Sequence, residues 1–327
     1  MRGDRPLKKG EPARDKGIAP RADAPLPQTH VPTVVGLLSR WLGAPEPVLR
    51  LEIIRIAAPL ATLGFMSSRL AHADEWLSDV GFQVPRMAIP DYRQPLYLSP
   101  LSPTAAWILA AVMVVSGLAV AAGFRARGAA LVFAGTLLYV ALADRLAAFT
   151  VSKLSPAVML ALAASPCGVR FGVDAWRRRR ADPEAPLPAH VAAASPRFFQ
   201  VLLPVFYSGG ALAKARGDWL KNPILLFTHL HDSYQTALSW AVLHVMPGWA
   251  FTVIQAVVFT LECGAPVWFA WKRTRGVALV TAIAMHALIG LMFWPVRWFS
   301  LLMIALWCGA YAPEAWLERA AARSTRM

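Results

Sequence analysis

The sequence has few charged residues and few cysteines for its length. Asp, Glu, Lys and Arg make up 16% of its 327 residues, and there are 3 cysteines. An ordinary soluble domain carries about a quarter charged residues, which help to cover its surface. A disulfide-stapled secreted scaffold needs several paired cysteines. The composition therefore argues against both a soluble globular protein and a disulfide-stapled scaffold.

Short motifs that mark common enzyme classes are also missing. There is no glycine-rich dinucleotide or phosphate loop and no Ser-His-Asp arrangement that can be placed. A pair of histidines at haem-ligand spacing within apolar segments is absent as well. The cluster His229, His231 and His244 has no Cys or Glu partner at a familiar metal-binding spacing. We therefore expect no metal site.

Long apolar segments are abundant. Apolar residues make up 57% of the chain, and the mean hydropathy is +0.45. Eight segments are long enough, or nearly so, to cross about 30 Å of hydrocarbon at ~1.5 Å per residue. They lie near residues 48–66, 105–124, 129–149, 154–170, 198–214, 248–271, 276–294 and 298–312. The sequence therefore predicts an all-α, polytopic integral membrane helical bundle with about eight transmembrane helices.

The basic residues divide unevenly between the two sides of this bundle. With the N-terminus inside, the inner segments hold 23 Lys and Arg and the outer segments hold 9. This positive-inside bias is typical of membrane proteins and predicts that both termini are cytoplasmic. It also accounts for most of the net charge of +14, so we expect no nucleic-acid partner. The run Arg177–Arg180 is either a stop signal or a contact for anionic lipid headgroups.

These patterns predict four regions along the chain. Residues 1–30 are rich in Pro, Lys and Arg and are expected to form a disordered basic cytoplasmic tail. Residues 31–47 are expected to include an interfacial amphipathic helix. Residues 48–312 form the transmembrane domain, and residues 313–327 form a short basic cytoplasmic tail. The expected location is the cell membrane, as a multi-pass protein of the bacterial inner-membrane type.

Three ionisable residues within the apolar segments are candidates for a site, because a charge at membrane depth needs a partner or a purpose. Glu262 and His286 each lie ten residues from the short basic turn between their segments, at a depth of roughly 15 Å. We expect them side by side, joined by a hydrogen bond or one water, either as part of a site or as a link fixing helix register. Lys214 lies near the exterior face, where it either snorkels to water or acts as a base.

The local motifs around these residues resemble those of the vitamin K-dependent gamma-carboxylase-like family, also called the HTTM (horizontally transferred transmembrane) domain family. The matching segments are Tyr207–Trp219 (YSGGALAKARGDW), Glu262–Pro266 (ECGAP), the segment beginning at His286, the early Arg55 and Gly172–Trp176 (GVDAW). Their order and spacing together are more specific than any one of them. The resemblance covers about residues 48–312.

The resemblance implies roles for five residues. Lys214 corresponds to the base that deprotonates a reduced quinone in the animal carboxylase, at the lumenal face. Glu262 and His286 would support it, and Tyr207 and Trp219 would form pocket walls. Where the family commonly has Asn-His, this chain has Ser152-Lys153. The resemblance therefore supports the shared helical body better than the shared reaction.

Three functions remain open from the sequence. The first is a membrane-embedded enzyme that uses Lys214 on a lipid-soluble, quinone-type substrate or on a peptide, with gamma-carboxylase-like lyase or oxidoreductase chemistry. The second is a non-catalytic membrane protein for peptide-toxin maturation or immunity. The third and weakest is a small redox-linked protein of the DoxX type. The expected partners are the lipid bilayer and a hydrophobic small molecule or a peptide.

Overall fold

The fold is given by a computed structural model that describes residues 33–81, 98–143, 149–231 and 235–324. Its helices are α1 (Val34–Gly43), α2 (Leu49–Leu70), α3 (Ala73–Leu77), α4 (Pro103–Ala122), α5 (Ala126–Ala143), α6 (Thr150–Ala163), α7 (Val173–Ala181), α8 (Ala194–Arg216), α9 (Leu225–Leu230), α10 (Ala237–Val245), α11 (Gly248–Ala270), α12 (Lys272–Met292), α13 (Arg297–Tyr311) and α14 (Glu314–Ser324). A short 3-10 turn, Trp294–Val296, precedes α13. Two three-residue strands, β1 (Pro45–Pro47) and β2 (His190–Ala192), pair antiparallel. The predicted all-α class is confirmed.

The helices lie where the apolar segments were predicted, but several of them differ from those segments in length. Five helices, α4, α5, α8, α11 and α12, are long and apolar enough to cross a membrane, and α13 with α14 would make a sixth despite a bend of 97°. Helix α2 is long but carries four charged residues. Helix α6 has only 14 residues, because Pro166 and Gly168, with its φ of +76°, follow its end. The described residues thus establish five candidate spans, and eight stays a prediction.

The four predicted regions are described to different extents. The predicted tail at 1–30 lies outside the described residues, and so do residues 325–327. Within the predicted interfacial segment 31–47, residues Val34–Gly43 are helical. The predicted C-terminal tail contains α14. The chain divides into two units, residues 1–39 and 40–327, and the site described below belongs to the second.

Local sequence explains where the spanning helices begin and end. Helix α4 begins after Ser102, whose side chain accepts a hydrogen bond from the Ala105 backbone N–H at 3.3 Å, with Pro103 at the first helical position. It ends at Gly123, which adopts the left-handed conformation with φ +71°. Gly123 also has no room for a side chain, because a Cβ there would lie 2.8 Å from the Cα of Gly172.

Helix α2 is held by a buried polar network as well as by apolar packing. It packs against α13, α4 and α6. The Arg55 guanidinium donates to Glu52 at 2.6 Å and to the carbonyls of Val120 and Ala121, at the end of α4, at 2.8 and 2.7 Å. It also donates to the carbonyl of Phe171. This network ties α2, α4 and the segment before α7 together.

The apolar surface of the helices fits a lipid environment. Large apolar side chains are exposed along several helices, among them Val115, Leu131, Val205, Val257 and Val280. A soluble protein rarely exposes apolar side chains in such numbers along its longest helices. The buried core contains large side chains, including Phe133, Phe199, Phe269, Met66 and Trp307. Each long helix therefore presents one face to the core and another to a surface that suits hydrocarbon.

Candidate functional site

A cavity of about 780 Å³ lies among the helices of the second half of the chain. Helices α8, α11 and α12 supply most of its lining, with contributions from α6, α9, α10 and α13. Its walls are mostly apolar, for example Phe206, Val257 and Met285. The volume falls within the range of small-molecule sites, about 300–1,000 Å³. The cavity is therefore large enough for a ring-containing ligand.

All five residues singled out from the sequence line this cavity. They are Tyr207, Lys214, Trp219, Glu262 and His286. Four of them come from helices, two from α8 and one each from α11 and α12, and the fold brings these distant positions to one volume. Their convergence gives the cavity a small polar cluster in an otherwise apolar lining.

One face of α8 supplies three of the lining positions. Tyr207, Gly210 and Lys214 follow one another at spacings of three and four residues, which places them on the same side of a helix. Gly210 leaves room for the neighbouring helix, because a Cβ there would lie only 3.2 Å from Oε2 of Glu262. The glycine thus lets the Glu262 carboxylate approach α8 just one turn before Lys214.

Lys214 and Glu262 form a close ion pair in the cavity wall. The Nζ of Lys214 lies 2.8 Å from Oε1 and 2.7 Å from Oε2 of Glu262. The side chains are 24% and 10% exposed, respectively. The Lys214 ammonium also lies 5.3 Å from the centre of the Trp219 ring, within cation–π distance. Both charges are therefore compensated locally although the surroundings are apolar.

Trp219 is held in place by Gln255, a residue that the sequence motifs did not indicate. The indole N–H of Trp219 donates to the Gln255 backbone carbonyl at 3.0 Å. The Gln255 side-chain amide donates to the carbonyls of Trp219 and Asn222 and accepts from the Leu226 backbone N–H at 3.2 Å. Gln255 is 4% exposed. It attaches the segment between α8 and α9 to α11, and so fixes one cavity wall.

A second polar cluster, formed by Tyr207, His286 and Trp307, joins helices α8, α12 and α13. The Tyr207 Oη lies 2.7 Å from Nε2 of His286, and the Trp307 indole N–H donates to the same Oη at 2.9 Å. Because Trp307 can only donate, the Tyr207 hydroxyl is free to donate to His286 Nε2. A neutral His286 then carries its proton on Nδ1. That atom is buried and has no hydrogen-bond partner among the described residues.

The expected link between Glu262 and His286 is replaced by two other links. No hydrogen bond joins the two side chains in the described part of the chain, because the carboxylate takes Lys214 and the imidazole takes Tyr207. Both residues nevertheless line the same cavity. The physical reason for the different pairing is charge: an ammonium is a stronger partner for a carboxylate than a neutral imidazole is.

Among the described residues, the other histidines do not form a cluster of metal ligands with one another. His229 lines the cavity, and its Nδ1 lies 2.8 Å from the carbonyl of Leu225 in its own helix. Among the described residues, one group has metal-binding spacing, namely His190, Glu314 and Glu318, with ligand atoms within 4.8 Å of one another. All three are exposed and lie outside the cavity lining. We assign no metal to them.

Ser152 and Lys153, which stand where the family commonly has Asn-His, closely follow two cavity residues in the sequence. Phe149 and Thr150 line the cavity. Ser152 is 1% exposed, and its hydroxyl has no partner among the described residues. Lys153 is exposed. Neither residue appears in the lining, so the position where the family commonly has Asn-His supplies no polar group to this cavity.

The apolar helices, their exposed apolar surface and the polar cluster in the wall of the cavity define the class of protein. The chain is a multi-pass helical membrane protein with a candidate ligand cavity among its helices. A family model for the HTTM domain matches residues 51–316, which is most of the chain. The chain therefore belongs to the HTTM family. No curated protein and no solved structure matches it.

Proposed function

We propose that this HTTM protein is a membrane-embedded enzyme in which Lys214 removes a proton from a lipid-soluble substrate bound in the cavity. The observation that carries the proposal is the Lys214–Glu262 ion pair in the wall of a cavity that is otherwise mostly apolar. An ion pair at such a place is weak support for stability alone, because desolvation offsets most of its attraction. A chemical role accounts for its cost.

The pairing allows Lys214 to lose its proton without leaving a charge behind. If the proton moves from the Lys214 ammonium to the Glu262 carboxylate, the pair becomes a neutral amine and a neutral acid. Apolar surroundings favour this neutral form more than water does. The amine then accepts a proton from a substrate hydroxyl: an O–H bond breaks, an N–H bond forms, and the substrate oxyanion is left beside the new ammonium.

The second polar cluster supports an oxygen-bearing ring as the substrate. His286 is 2% exposed, and its Nδ1 has no partner among the described residues. A buried donor of this kind costs stability unless something satisfies it. A ring oxygen of a quinol-type molecule would satisfy it. The aromatic and aliphatic walls would contact the ring, so a reduced quinone fits the cavity better than a polar peptide does.

We also propose that the protein lies in a cell membrane of the bacterial inner-membrane type with both termini cytoplasmic and eight spans. The uneven distribution of Lys and Arg supports this topology. In this orientation the cavity opens towards the exterior half. Labelling of single cysteines would test it: residues in 215–231 should react from outside, and substitutes for Arg177–Arg180 should not.

The second candidate is a non-catalytic protein that handles a peptide. One observation favours it: both oxygens of Glu262 lie within hydrogen-bond distance of Lys214 Nζ, a geometry that also suits a static link between α8 and α11. In that case the positive charge matters and the ability to lose a proton does not. Lys214→Arg separates the two functions, because arginine keeps its charge and does not act as a base.

The experiment uses the purified full-length protein and a reduced short-chain menaquinone as the probe. Binding of the quinol and its two-electron oxidation to the quinone, with O2 reduced to H2O2, are measured under air for the wild type, Lys214→Arg, Lys214→Met and the exposed control Lys221→Met. We expect turnover to fall by about 10²–10⁴ in both Lys214 variants and to stay unchanged in the control. Wild-type turnover in Lys214→Arg would contradict the base. Mass spectrometry of co-purified lipids and quinones would identify the natural ligand class.

A further inference from the structure

A second cavity, of about 520 Å³, is lined by residues of the segment between α6 and α8. Arg170, Arg179 and Arg180 line it together with Trp176 and Phe171. None of these residues lines the first cavity. We propose that this basic cavity binds the phosphate group of an anionic membrane lipid.

Among the described residues, no carboxylate forms an ion pair with the arginine side chains of this segment. Arg170 and the run Arg177–Arg180 form no salt bridge with any described residue. The Nε of Arg170 is buried and has no hydrogen-bond partner in the described part of the chain. Helix polarity explains some of this charge, because cations are favourable near the C-terminal end of α7. It does not explain why Arg170, outside α7, shares the same cavity.

The walls of this cavity are held by specific contacts. The Asp174 carboxylate, in the first turn of α7, accepts a hydrogen bond from the Arg125 backbone N–H at 2.5 Å. The Asp174 backbone N–H donates to the carbonyl of Gly123 at 3.2 Å. Arg178 donates to the carbonyl of Val169 at 3.0 Å. These contacts fix α7 against the turn between α4 and α5. The helix that carries Arg179 and Arg180 therefore has a defined position.

The same contacts place the cavity where lipid headgroups lie. Gly123 ends the spanning helix α4, and the cavity residue Gly172 packs against it. Trp176 is 58% exposed, and the Arg180 guanidinium lies 5.4 Å from its ring centre. Tryptophan is enriched at the membrane–water boundary, and clustered arginines there attract anionic lipids. A phosphate with an attached acyl chain would use both the arginines and the exposed indole.

Native mass spectrometry of the full-length protein in mild detergent tests this assignment. Equal amounts of phosphatidylglycerol and phosphatidylcholine are added to the wild type, to Arg179→Gln/Arg180→Gln and to the control Arg273→Gln. The control removes an exposed charge at the start of α12, outside the cavity. At about fivefold per arginine, the double variant should hold phosphatidylglycerol roughly 25-fold more weakly than the wild type and the control do. Equal retention by all three proteins would overturn the proposal.

Two further measurements keep the test decisive. If the double variant unfolds, Arg179→Gln alone is used, because its side chain makes no recorded hydrogen bond or ion pair with described residues; it should bind about fivefold more weakly. Inorganic phosphate is compared with chloride at equal ionic strength as a competitor. Phosphate binding without any preference for phosphatidylglycerol over phosphatidylcholine would overturn the lipid as the source of the phosphate group.

Discussion

Two of the carboxylate–cation pairs among the described residues have sharply different surroundings. The Glu52–Arg55 pair in α2 is 0% and 1% exposed, and the Lys214–Glu262 pair is 24% and 10% exposed. Arg55 donates to three backbone carbonyls in addition to Glu52, and the second oxygen of Glu52 accepts from a backbone N–H at 3.2 Å. Lys214 has both its recorded hydrogen bonds with one carboxylate.

The difference separates a structural network from the pair to which we assign the proposed proton transfer. In the first pair, backbone groups of other elements depend on the side chains, so neither residue can change its charge without leaving carbonyls unsatisfied. In the second pair, the partners depend mainly on each other and face a cavity. A proton can therefore move within or out of the second pair without disturbing the backbone around it.

The largest loss of stability is expected when the Glu52–Arg55 pair is broken. Arg55→Met should destabilise the protein by about 3–5 kcal/mol, because it leaves the Glu52 carboxylate buried and unpaired. The measurement is the unfolding temperature in detergent together with the yield of folded protein. Arg273→Met, at an exposed position in α12, is the control for losing one positive charge. An unfolding temperature equal to that of the control would show that the network is not structural.

Double replacements sharpen the comparison. Glu262→Leu alone should cost about 1–3 kcal/mol, because it leaves the partly exposed Lys214 ammonium without its partner, whereas Lys214→Met with Glu262→Leu should be close to neutral in stability. The corresponding double change, Glu52→Leu with Arg55→Met, should remain destabilising, because the carbonyls served by Arg55 lose their donor. Unfolding temperatures of these three variants check this. Equal loss in both double variants would remove the distinction between the pairs.

The sequence predicted the class of fold and the members of the cavity better than their pairing. Apolar length located the helices, and equal depth predicted that Glu262 and His286 lie together, whereas Lys214 was predicted nearer the exterior face and not beside Glu262. Depth carries no information on rotation about a helix axis, and rotation decides which neighbour a side chain meets. The Lys214–Glu262 and Tyr207–His286 contacts therefore needed the packed structure.

Residues that act through the backbone were also hidden from sequence reasoning. Gln255 is one of the few polar residues in the apolar helix α11, and this is the one signal that could have indicated it. Trp307 looks like an ordinary apolar residue, because a buried indole N–H leaves no mark in the sequence. Arg55 stood out by its charge, but its carbonyl partners are 65 to 116 residues away.

A smaller loss of stability is expected from replacing Gln255, which attaches one cavity wall to α11. Gln255→Leu should destabilise the protein by about 1–3 kcal/mol, because it removes three side-chain hydrogen bonds to the segment between α8 and α9. Hydrogen exchange of residues 217–226 should increase, whereas exchange in α2 should not change. Uniform protection in both segments would contradict the view that Gln255 holds the wall and positions Trp219.

The smallest expected effect comes from two adjacent glycines in α8, and it tests whether the reactive pair needs its close approach. Gly209 is exposed and a Cβ there would meet nothing within 4 Å, whereas a Cβ at Gly210 would lie 3.2 Å from Oε2 of Glu262.

Gly209→Ala should stabilise the helix by about 0.5–1 kcal/mol, because alanine loses less conformational freedom than glycine does. Gly210→Ala should stabilise the helix by the same amount, but its methyl group displaces the Glu262 carboxylate by a few tenths of an ångström. We expect its net stability to be nearly unchanged and turnover of the reduced menaquinone to fall by about three- to tenfold, because catalytic geometry is sensitive to such shifts. The comparison isolates the carboxylate, since both variants add one methyl group to the same helix. If both variants turn over the probe like the wild type, the position of Glu262 does not control Lys214, and the pair is a structural link like that of Arg55.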